Sequence, residues 1–206
     1  FKSEIRTLID PSQNPFHEHA DIQLFLARDD ARIVGRIAGC VNHLYNEYHS
    51  ERTAVVGLFE VESNYEYAQA LLNSVSEWAR ERNMNLLRGP MSFSTNEECG
   101  LLVEGFDSPP RVMMPYNPPY YQEFLTRFGF SPVKELLAFV IERQEIPQRL
   151  STGAEAVMKR TGASIRNANF KEFHNEIPLL HRLYREGWWE NWGFSPMTPN
   201  EFRWRA

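Results

Sequence analysis

The sequence predicts an α/β protein whose mixed, mainly antiparallel sheet is flanked by helices on both faces. Two observations lead to this class. An early pair of β-rich segments is separated by a tight turn, and two later segments with helical periodicity are interleaved with further β-rich segments. Such an alternation favours a sheet that is covered by helices.

The first part of the sheet is predicted from a hairpin pattern. Residues 22–27 and 32–41 are both typical of strands, and Asp29-Asp30 between them favours a tight turn. A third strand is expected over residues 53–61. The first two segments should therefore pair antiparallel to each other.

The clearest helix is predicted over residues 65–82. Its apolar side chains recur at helical spacing and are Ala68, Leu71, Leu72, Val75, Trp78 and Ala79. This stripe should pack against a core. Ser63 and Glu66 have the spacing of a capping box, which predicts that Ser63 caps the helix.

The next elements are a short strand over 85–87 and a long loop over 89–117, rich in Gly, Ser, Asn and Pro. The length of this loop indicates a functional role. A second amphipathic helix should begin at Pro118-Pro119 and stop at Gly129. A buried strand is then expected over residues 135–142.

The last part of the chain is predicted to hold a short helix near 154–160, a strand over 163–168 and a helix over about 176–186. The chain has 22 Lys and Arg against 27 Asp and Glu, a net charge of -5, without a basic cluster. Nucleic acid is therefore not an expected partner. The longest apolar runs are far shorter than the roughly 20 residues that span a bilayer, so we expect no transmembrane segment and a cytoplasmic protein.

Residues 117–130, which run from Asn117-Pro118-Pro119 to Gly129-Phe130, resemble the late helix of the GNAT superfamily of N-acyltransferases. The predicted order of strands and helices is similar to that of the same superfamily. Further short motifs look like those of a group of larger bacterial GNAT-like proteins: Gly35-Arg36-Ile37, Asn42-His43, Asn46-Glu47, the loop from Gly89-Pro90 to Asn96-Glu97, and Gly105-Phe106. The resemblance covers about residues 5 to 145.

This resemblance implies a division of the chain into a GNAT-like domain over residues 1–145, a linker with a short helix over 146–162, and the start of a second, incomplete GNAT-like unit over 163–206. It also implies transfer of an acyl group from an acyl-CoA thioester to an amine. The expected partners are a small-molecule amine or a lipid amine, with acyl-CoA as a co-substrate and no covalently bound cofactor.

The connection before the first long helix departs from the superfamily pattern. GNAT enzymes usually have a Gly-rich loop there, whose amides hold the pyrophosphate of the cofactor. Residues 60–64 contain no glycine, and Glu60, Glu62 and Glu66 would repel phosphate. The alternative function is therefore a non-catalytic GNAT-fold binding or scaffold domain that has lost the pyrophosphate loop.

The resemblance places two candidate catalytic residues. Glu60 lies on the predicted third strand, where several GNAT enzymes carry a catalytic carboxylate; the alternative is a salt-bridge partner. Tyr120 lies near the position from which the superfamily often supplies a tyrosine as general acid, although Leu125 occupies the usual position. Tyr121 falls on the apolar stripe of its helix and is expected in the core.

Two clusters of polar residues are candidates for substrate binding. His43, Asn46 and Glu47 follow the second strand, where the alternative is a hydrogen-bonded loop. No cysteine or repeated histidine spacing accompanies them, so no metal site is expected. The other candidates are Asn96 and Glu97, with Glu98 beside them, because carboxylates attract ammonium groups; the alternative is a loop held by Asx turns.

An aromatic patch over residues 187–194 favours packing between domains, and its alternative role is contact with a lipid or acyl chain. Cys40 and Cys99 are too few for a disulfide framework and are expected to be free thiols.

Overall fold

The structure is a computed structural model that describes residues 2–140 and 147–206 of the 206-residue chain. The strands in these ranges are Ala20–Asp29 (β1), Arg32–Asn42 (β2), Thr53–Val61 (β3) and Leu86–Arg88 (β4). The α-helices in these ranges are Lys2–Ile9 (α1), His43–His49 (α2), Tyr65–Glu81 (α3), Tyr120–Phe128 (α4), Gln148–Thr161 (α5), Phe173–Trp188 (α6) and Pro199–Arg205 (α7).

The strands of the described ranges form one sheet in the order β1-β2-β3-β4. The β1–β2 and β2–β3 pairs are antiparallel, and the β3–β4 pair is parallel. Asp29 pairs with Arg32, and the hairpin turns at Asp30, which adopts the left-handed φ of 51° that aspartate tolerates. The predicted hairpin and the mixed, mainly antiparallel sheet are confirmed.

Both faces of the sheet are covered, because neighbouring residues of a strand point to opposite sides. Ile37 and Val56 belong to a buried cluster formed with α3 and α4. Ala38 and Val55 belong to a second cluster, on the other face, which includes Leu8 of α1. Helices therefore lie on both faces, as the sequence predicts.

α3 packs on the sheet through the predicted apolar stripe. Leu71, Leu72 and Val75 are at most 2% exposed. Trp78 lies against Gly39 of β2, where an added Cβ would come within 2.8 Å of the indole ring. Glycine at this position thus allows the close approach of helix and strand.

The N-cap of α3 differs from the prediction. The side-chain oxygen of Asn64 accepts the backbone N–H of Glu66 at 2.9 Å, so Asn64 is the cap. The capping-box prediction at Ser63 is therefore wrong. Asparagine and serine cap helices about equally well, so the spacing of Ser63 and Glu66 did not decide between the two neighbours.

Two predicted strands do not form in the described residues. Residues 135–140 and 163–168 run without pairing to a strand, and 141 and 142 lie outside the described residues. Leu136 and Phe139 are 61% and 81% exposed. Apolar and β-branched composition marks a segment that fits a sheet, but a strand also needs a neighbour that supplies N–H and C=O partners.

The later helices lie near their predicted positions. α4 follows Pro119 and ends at Gly129, whose φ of 115° is left-handed. α5 and α6 are both longer than the predicted helices over 154–160 and 176–186.

A bulge in β3 shapes the end of this strand. Arg36 pairs with Glu60 and Ala38 pairs with Gly57, so β3 has one more residue than β2 in this interval. Leu58, inside the bulge, has a φ of 47°. Bulges bend a strand and redirect its side chains. Glu60 is exposed here although both of its neighbours are buried.

The C-terminal residues pack against the first part of the chain. Phe194 is 6% exposed and lies between the rings of Tyr48 and Tyr184. Trp188 and Trp189 of the aromatic patch are more than half exposed. The division of the chain at residues 145 and 162 stays a prediction.

Candidate active site

Glu60 meets two tyrosines of α4 at the end of β3. The hydroxyl of Tyr121 donates a hydrogen bond to the Glu60 carboxylate at 3.0 Å and accepts the backbone N–H of Val61 at 2.9 Å. The hydroxyl of Tyr120 donates to the carbonyl of Val61 at 2.9 Å. The structure thus brings Glu60 and Tyr120 together through Val61, with Tyr121 between them.

Consecutive positions on α4 give the two tyrosines different surroundings. Tyr121 is 3% exposed and packs against Phe59, with ring centroids 4.9 Å apart. Tyr120 is half-buried. Burial raises the pKa of Tyr121, which therefore stays a neutral donor to Glu60. Burial and the negative charges of Glu60 and Glu62 raise the pKa of Tyr120.

A second carboxylate, Glu98, belongs to the long loop, whose base lies against β3 three residues before Glu60. The residue has an exposed surface, but its carboxyl is partly shielded from water. This burial, followed by the negative charge of Glu60, raises the pKa of Glu98 above its ordinary value. The negative charges of these two carboxylates favour a cationic ligand such as an ammonium group.

Main-chain contacts place the loop that carries Glu98. The N–H of Met91 donates to the carbonyl of Val56 at 2.9 Å, and the N–H of Ser92 donates to the carbonyl of Glu98 at 2.8 Å. Gly57 faces this loop, and a Cβ there would lie 2.1 Å from the Met91 carbonyl oxygen. The absence of a side chain at residue 57 therefore lets the loop lie directly on β3.

His43, Asn46 and Glu47 lie at the opposite end of β3. The Asn46 side chain donates to the carbonyl of Thr53 at 2.9 Å and accepts its N–H at 3.0 Å, so it holds the first residue of the strand. His43 is exposed and lies 3.4 Å from Asp21, and the side chain of Glu47 is exposed. At roughly 3.3 Å per residue, Thr53 and Glu60 are about 20 Å apart. These three residues and Glu60 do not form one site.

The enclosed cavity beside α2 is too small for a substrate. A cavity of about 10 Å³ lies between Asn42, Tyr45, Arg88 and Gly193. This volume is about that of a single water molecule.

Asn96 and Glu97 contact the C-terminal part of the chain. The Asn96 side chain donates to the Ser195 carbonyl at 3.1 Å and accepts the hydroxyl of Tyr184 at 3.1 Å. Glu97 forms an ion pair with Arg205. Of the three adjacent polar residues in this loop, Glu98 is the one whose pKa is raised by the charge of Glu60.

Sequence reasoning did not assign a role to the hydroxyl of Tyr121 or single out Glu98. Tyr121 lies on the apolar stripe of α4, and this position correctly predicts a buried ring. The stripe does not show which polar atom the hydroxyl reaches, because that atom belongs to β3, about sixty residues earlier in the chain. Glu98 is adjacent to Glu97, and only the path of the loop separates their surroundings.

The start of α3 offers a poor site for phosphate. The side chain of Asn64 already accepts a hydrogen bond from the N–H of Glu66, so this N–H is not free to bind phosphate. Glu62 forms an ion pair with Arg32 at 2.7 Å, so the nearby positive charge is already neutralised. The hydroxyl of Tyr67 donates to Asp29 at 2.5 Å, so another carboxylate lies beside the first turn. Phosphate would have to displace these groups before it reached the helix amides.

The described residues contain neither a candidate metal site nor a helix that could cross a membrane. In residues 2–140 and 147–206, no three His, Cys, Asp or Glu side chains are grouped so that they could hold a metal ion. Within the same ranges, none of the helices combines the length and the apolar character needed to cross a bilayer.

The chain is similar to two curated bacterial proteins. It is 31% identical over 193 residues to Protein YghO of Escherichia coli strain K12, a match that covers 93% of this chain and 49% of that protein. It is 33% identical over 198 residues to the Bacterial ceramide synthase of Caulobacter vibrioides, a match that covers 94% of this chain and 50% of that protein.

No family model matches the chain, and no solved structure matches it. The two relatives are consistent with the GNAT-type fold that the sequence motifs imply. Nearly the whole chain is thus homologous to both proteins, and it spans about half the length of each.

Proposed function

We propose that this chain contributes an N-acyltransferase site at which an acyl group passes from a thioester to the amine of a lipid. The observation that carries the proposal is the Glu60 carboxylate beside the tyrosines of α4, with Glu98 on a loop whose base lies against the same strand. The relative named Bacterial ceramide synthase supports the substrate class. A ceramide is an amide of a fatty acid and a long-chain amino alcohol, so its synthesis joins an acyl group to a lipid amine.

The two carboxylates suit the first step of such a reaction. A lipid amine reaches the protein as an ammonium ion, which the negative charge of Glu60 and Glu98 attracts. The amine must lose a proton before it can attack. Glu98 is the proposed acceptor, because its raised pKa brings this carboxylate closer to the operating pH.

The remaining steps need a proton for the departing thiolate. The amine nitrogen forms a bond to the thioester carbonyl carbon, and the carbon–sulfur bond breaks. Tyr120 is the candidate donor for the thiolate, because its half-buried hydroxyl has one partner, the Val61 carbonyl, from which the proton would turn to the sulfur. The Tyr121 hydroxyl is committed to Glu60 and Val61, so we assign it to holding Glu60 in place.

Activity of single variants tests this assignment in a protein that contains the full length of the relatives. We expect Glu98→Gln and Glu60→Gln each to lower kcat/KM by about a hundredfold or more with a long-chain amine and an acyl thioester. Glu77→Gln is the matched control, since Glu77 is an exposed glutamate in the C-terminal half of α3 and is not a candidate for binding or catalysis. Unchanged activity in both site variants would contradict the proposal.

The acyl donor is proposed to be an acyl-CoA, but the start of α3 predicts weak binding by this chain alone. Each lost charge-assisted hydrogen bond to phosphate weakens binding by about 1.5–3 kcal/mol, so two losses weaken it by roughly two to four decades. Calorimetry with acetyl-CoA and longer acyl-CoAs should therefore show no micromolar affinity. Asn64→Gly combined with Glu66→Gln should tighten binding. Tight binding by the unaltered chain, with phosphate on the amides of residues 62–66, would overturn this reasoning.

The second candidate function is a non-catalytic GNAT-fold binding or scaffold domain. The specific observation in its favour is that Asn64 and the neighbouring carboxylates occupy the place where phosphate would bind. In this case, the Glu60→Gln and Glu98→Gln variants of the full-length protein would keep full activity.

A further inference from the structure

The loop over residues 91–99 links the candidate active site to the C-terminal part of the chain. At its base, the N–H of Met91 donates a hydrogen bond to the carbonyl of Val56 in β3. At its tip, the hydroxyl of Thr95 donates to the carbonyl of Gly193 at 2.6 Å, and the Asn96 side chain donates to the carbonyl of Ser195 at 3.1 Å. The same loop therefore touches β3 on one side and residues 193–195 on the other.

Residues 193–195 are themselves held firmly against the sheet domain. Ser195 is 1% exposed, and its hydroxyl accepts a hydrogen bond from the side chain of Asn42 at 3.2 Å. The ring of His49 is hydrogen-bonded to the carbonyl of Phe194 at 2.8 Å. A buried contact of 3.0 Å between the His19 ring and the Glu201 carboxylate fixes α7 nearby. The tip of the loop is thus bound to an ordered surface.

The main chain of Glu98 is held at the base of the loop, where Cys99 also pairs with Met91. The main-chain carbonyl of Glu98 accepts the N–H of Ser92, whereas its carboxylate has no hydrogen-bond partner among the described residues. The place of the carboxylate is therefore set by the course of the loop. Two residues before it, Asn96 engages both ends of its amide group, with Ser195 and with Tyr184.

We infer that Asn96 is a positioning residue, which sets the place of the Glu98 carboxylate over β3 by binding the loop to the C-terminal segment over residues 193–195. The site of the first 145 residues is then completed by a segment from beyond the predicted linker. The catalytic consequence rests on the proposed function, whereas the geometric statement about Glu98 does not.

Titration of Glu98 by carbon NMR of the labelled 206-residue chain tests the inference without an activity assay. In Asn96→Ala, the loop loses both amide bonds and Glu98 becomes free to move into water and away from Glu60. Its pKa should then fall towards the ordinary value of a glutamate. Thr95→Val, which is nearly isosteric and removes the bond to Gly193, should shift the same pKa in the same direction.

Tyr48→Phe is the matched control. It removes a hydrogen bond of 2.9 Å between the Tyr48 hydroxyl and the carbonyl of Trp189, which joins the same two parts of the chain without the loop. This variant should leave the titration of Glu98 unchanged. An unchanged Glu98 in a folded Asn96→Ala or Thr95→Val variant would overturn the inference, and so would an equal shift in Tyr48→Phe.

Kinetics of the full-length protein separate this inference from the proposed function. Asn96→Ala should lower kcat/KM by about tenfold or more, because a displaced catalytic group is costly, and should move the acidic limb of the pH profile to lower pH. If the unaltered protein transfers no acyl group, the proposed function fails, and the NMR titration still decides whether Asn96 positions Glu98.

Discussion

Removal of the Tyr121 hydroxyl tests whether this side chain holds the end of β3. In Tyr121→Phe the buried ring and its contact with Phe59 are kept, and a single oxygen is lost. That oxygen accepts the N–H of Val61 at 2.9 Å and donates to Glu60 at 3.0 Å. The substitution therefore removes two hydrogen bonds with little change in packing.

The expected cost comes mainly from Val61. Its N–H stays buried without a partner, and an unsatisfied buried donor costs about 1–3 kcal/mol. Glu60 is exposed and regains a hydrogen bond from water, so the loss of its bond to Tyr121 adds little to the cost. We expect the free energy of unfolding to fall by about 1–3 kcal/mol.

Urea unfolding followed by circular dichroism measures this change. With a slope of about 2 kcal/mol per molar urea, the midpoint should fall by roughly 0.5–1.5 M. Tyr120→Phe is the control, because its partner, the Val61 carbonyl, also lies 3.5 Å from the Tyr121 hydroxyl. This variant should lose less than about 1 kcal/mol. A Tyr121→Phe protein as stable as the unaltered chain would refute the proposed role of the hydroxyl.

Two further predictions concern stability. Leu72→Ala should lower the free energy of unfolding, measured in urea, by about 2–5 kcal/mol, since Leu72 is 0% exposed. Asn73→Ala, at the exposed neighbouring position, should change this free energy by less than about 0.5 kcal/mol. Equal effects of the two substitutions would show that α3 buries another face. Hydrogen bonds from Arg166 and the backbone of Asn169 lower the pKa of Glu176 from 4.5 to about 2, so this group stabilises the fold above pH 4.5, and the contribution is lost as the pH falls towards 2. Unfolding midpoints measured across this interval should fall less steeply in Glu176→Gln, and parallel curves would contradict the assignment.

The sequence by itself determined the elements whose signals are local. The hairpin of β1 and β2 follows from two β-rich segments and an Asp-Asp turn, and α3 follows from an apolar stripe at helical spacing. The end of α4 at Gly129 follows from the freedom of glycine to adopt a left-handed φ. These features depend on residues a few positions apart, so the pattern alone predicts them.

Only the tertiary structure decided which predicted strands pair. Residues 135–140 and 163–168 have strand-like composition, yet neither finds a partner in the described residues. The exposure of Glu60 depends in the same way on the bulge between β2 and β3, which arises from the register of two separate strands.

The membership of the candidate site was decided by long-range contacts as well. Tyr121 reaches Glu60 across sixty-one positions of sequence, and Asn96 reaches Ser195 across ninety-nine. The choice of Glu98 over its neighbour Glu97 follows from a loop that is held at its base by β3 and at its tip by residues 193–195. Periodicity and spacing describe one segment at a time, whereas the position of a side chain in a site depends on how separate segments pack.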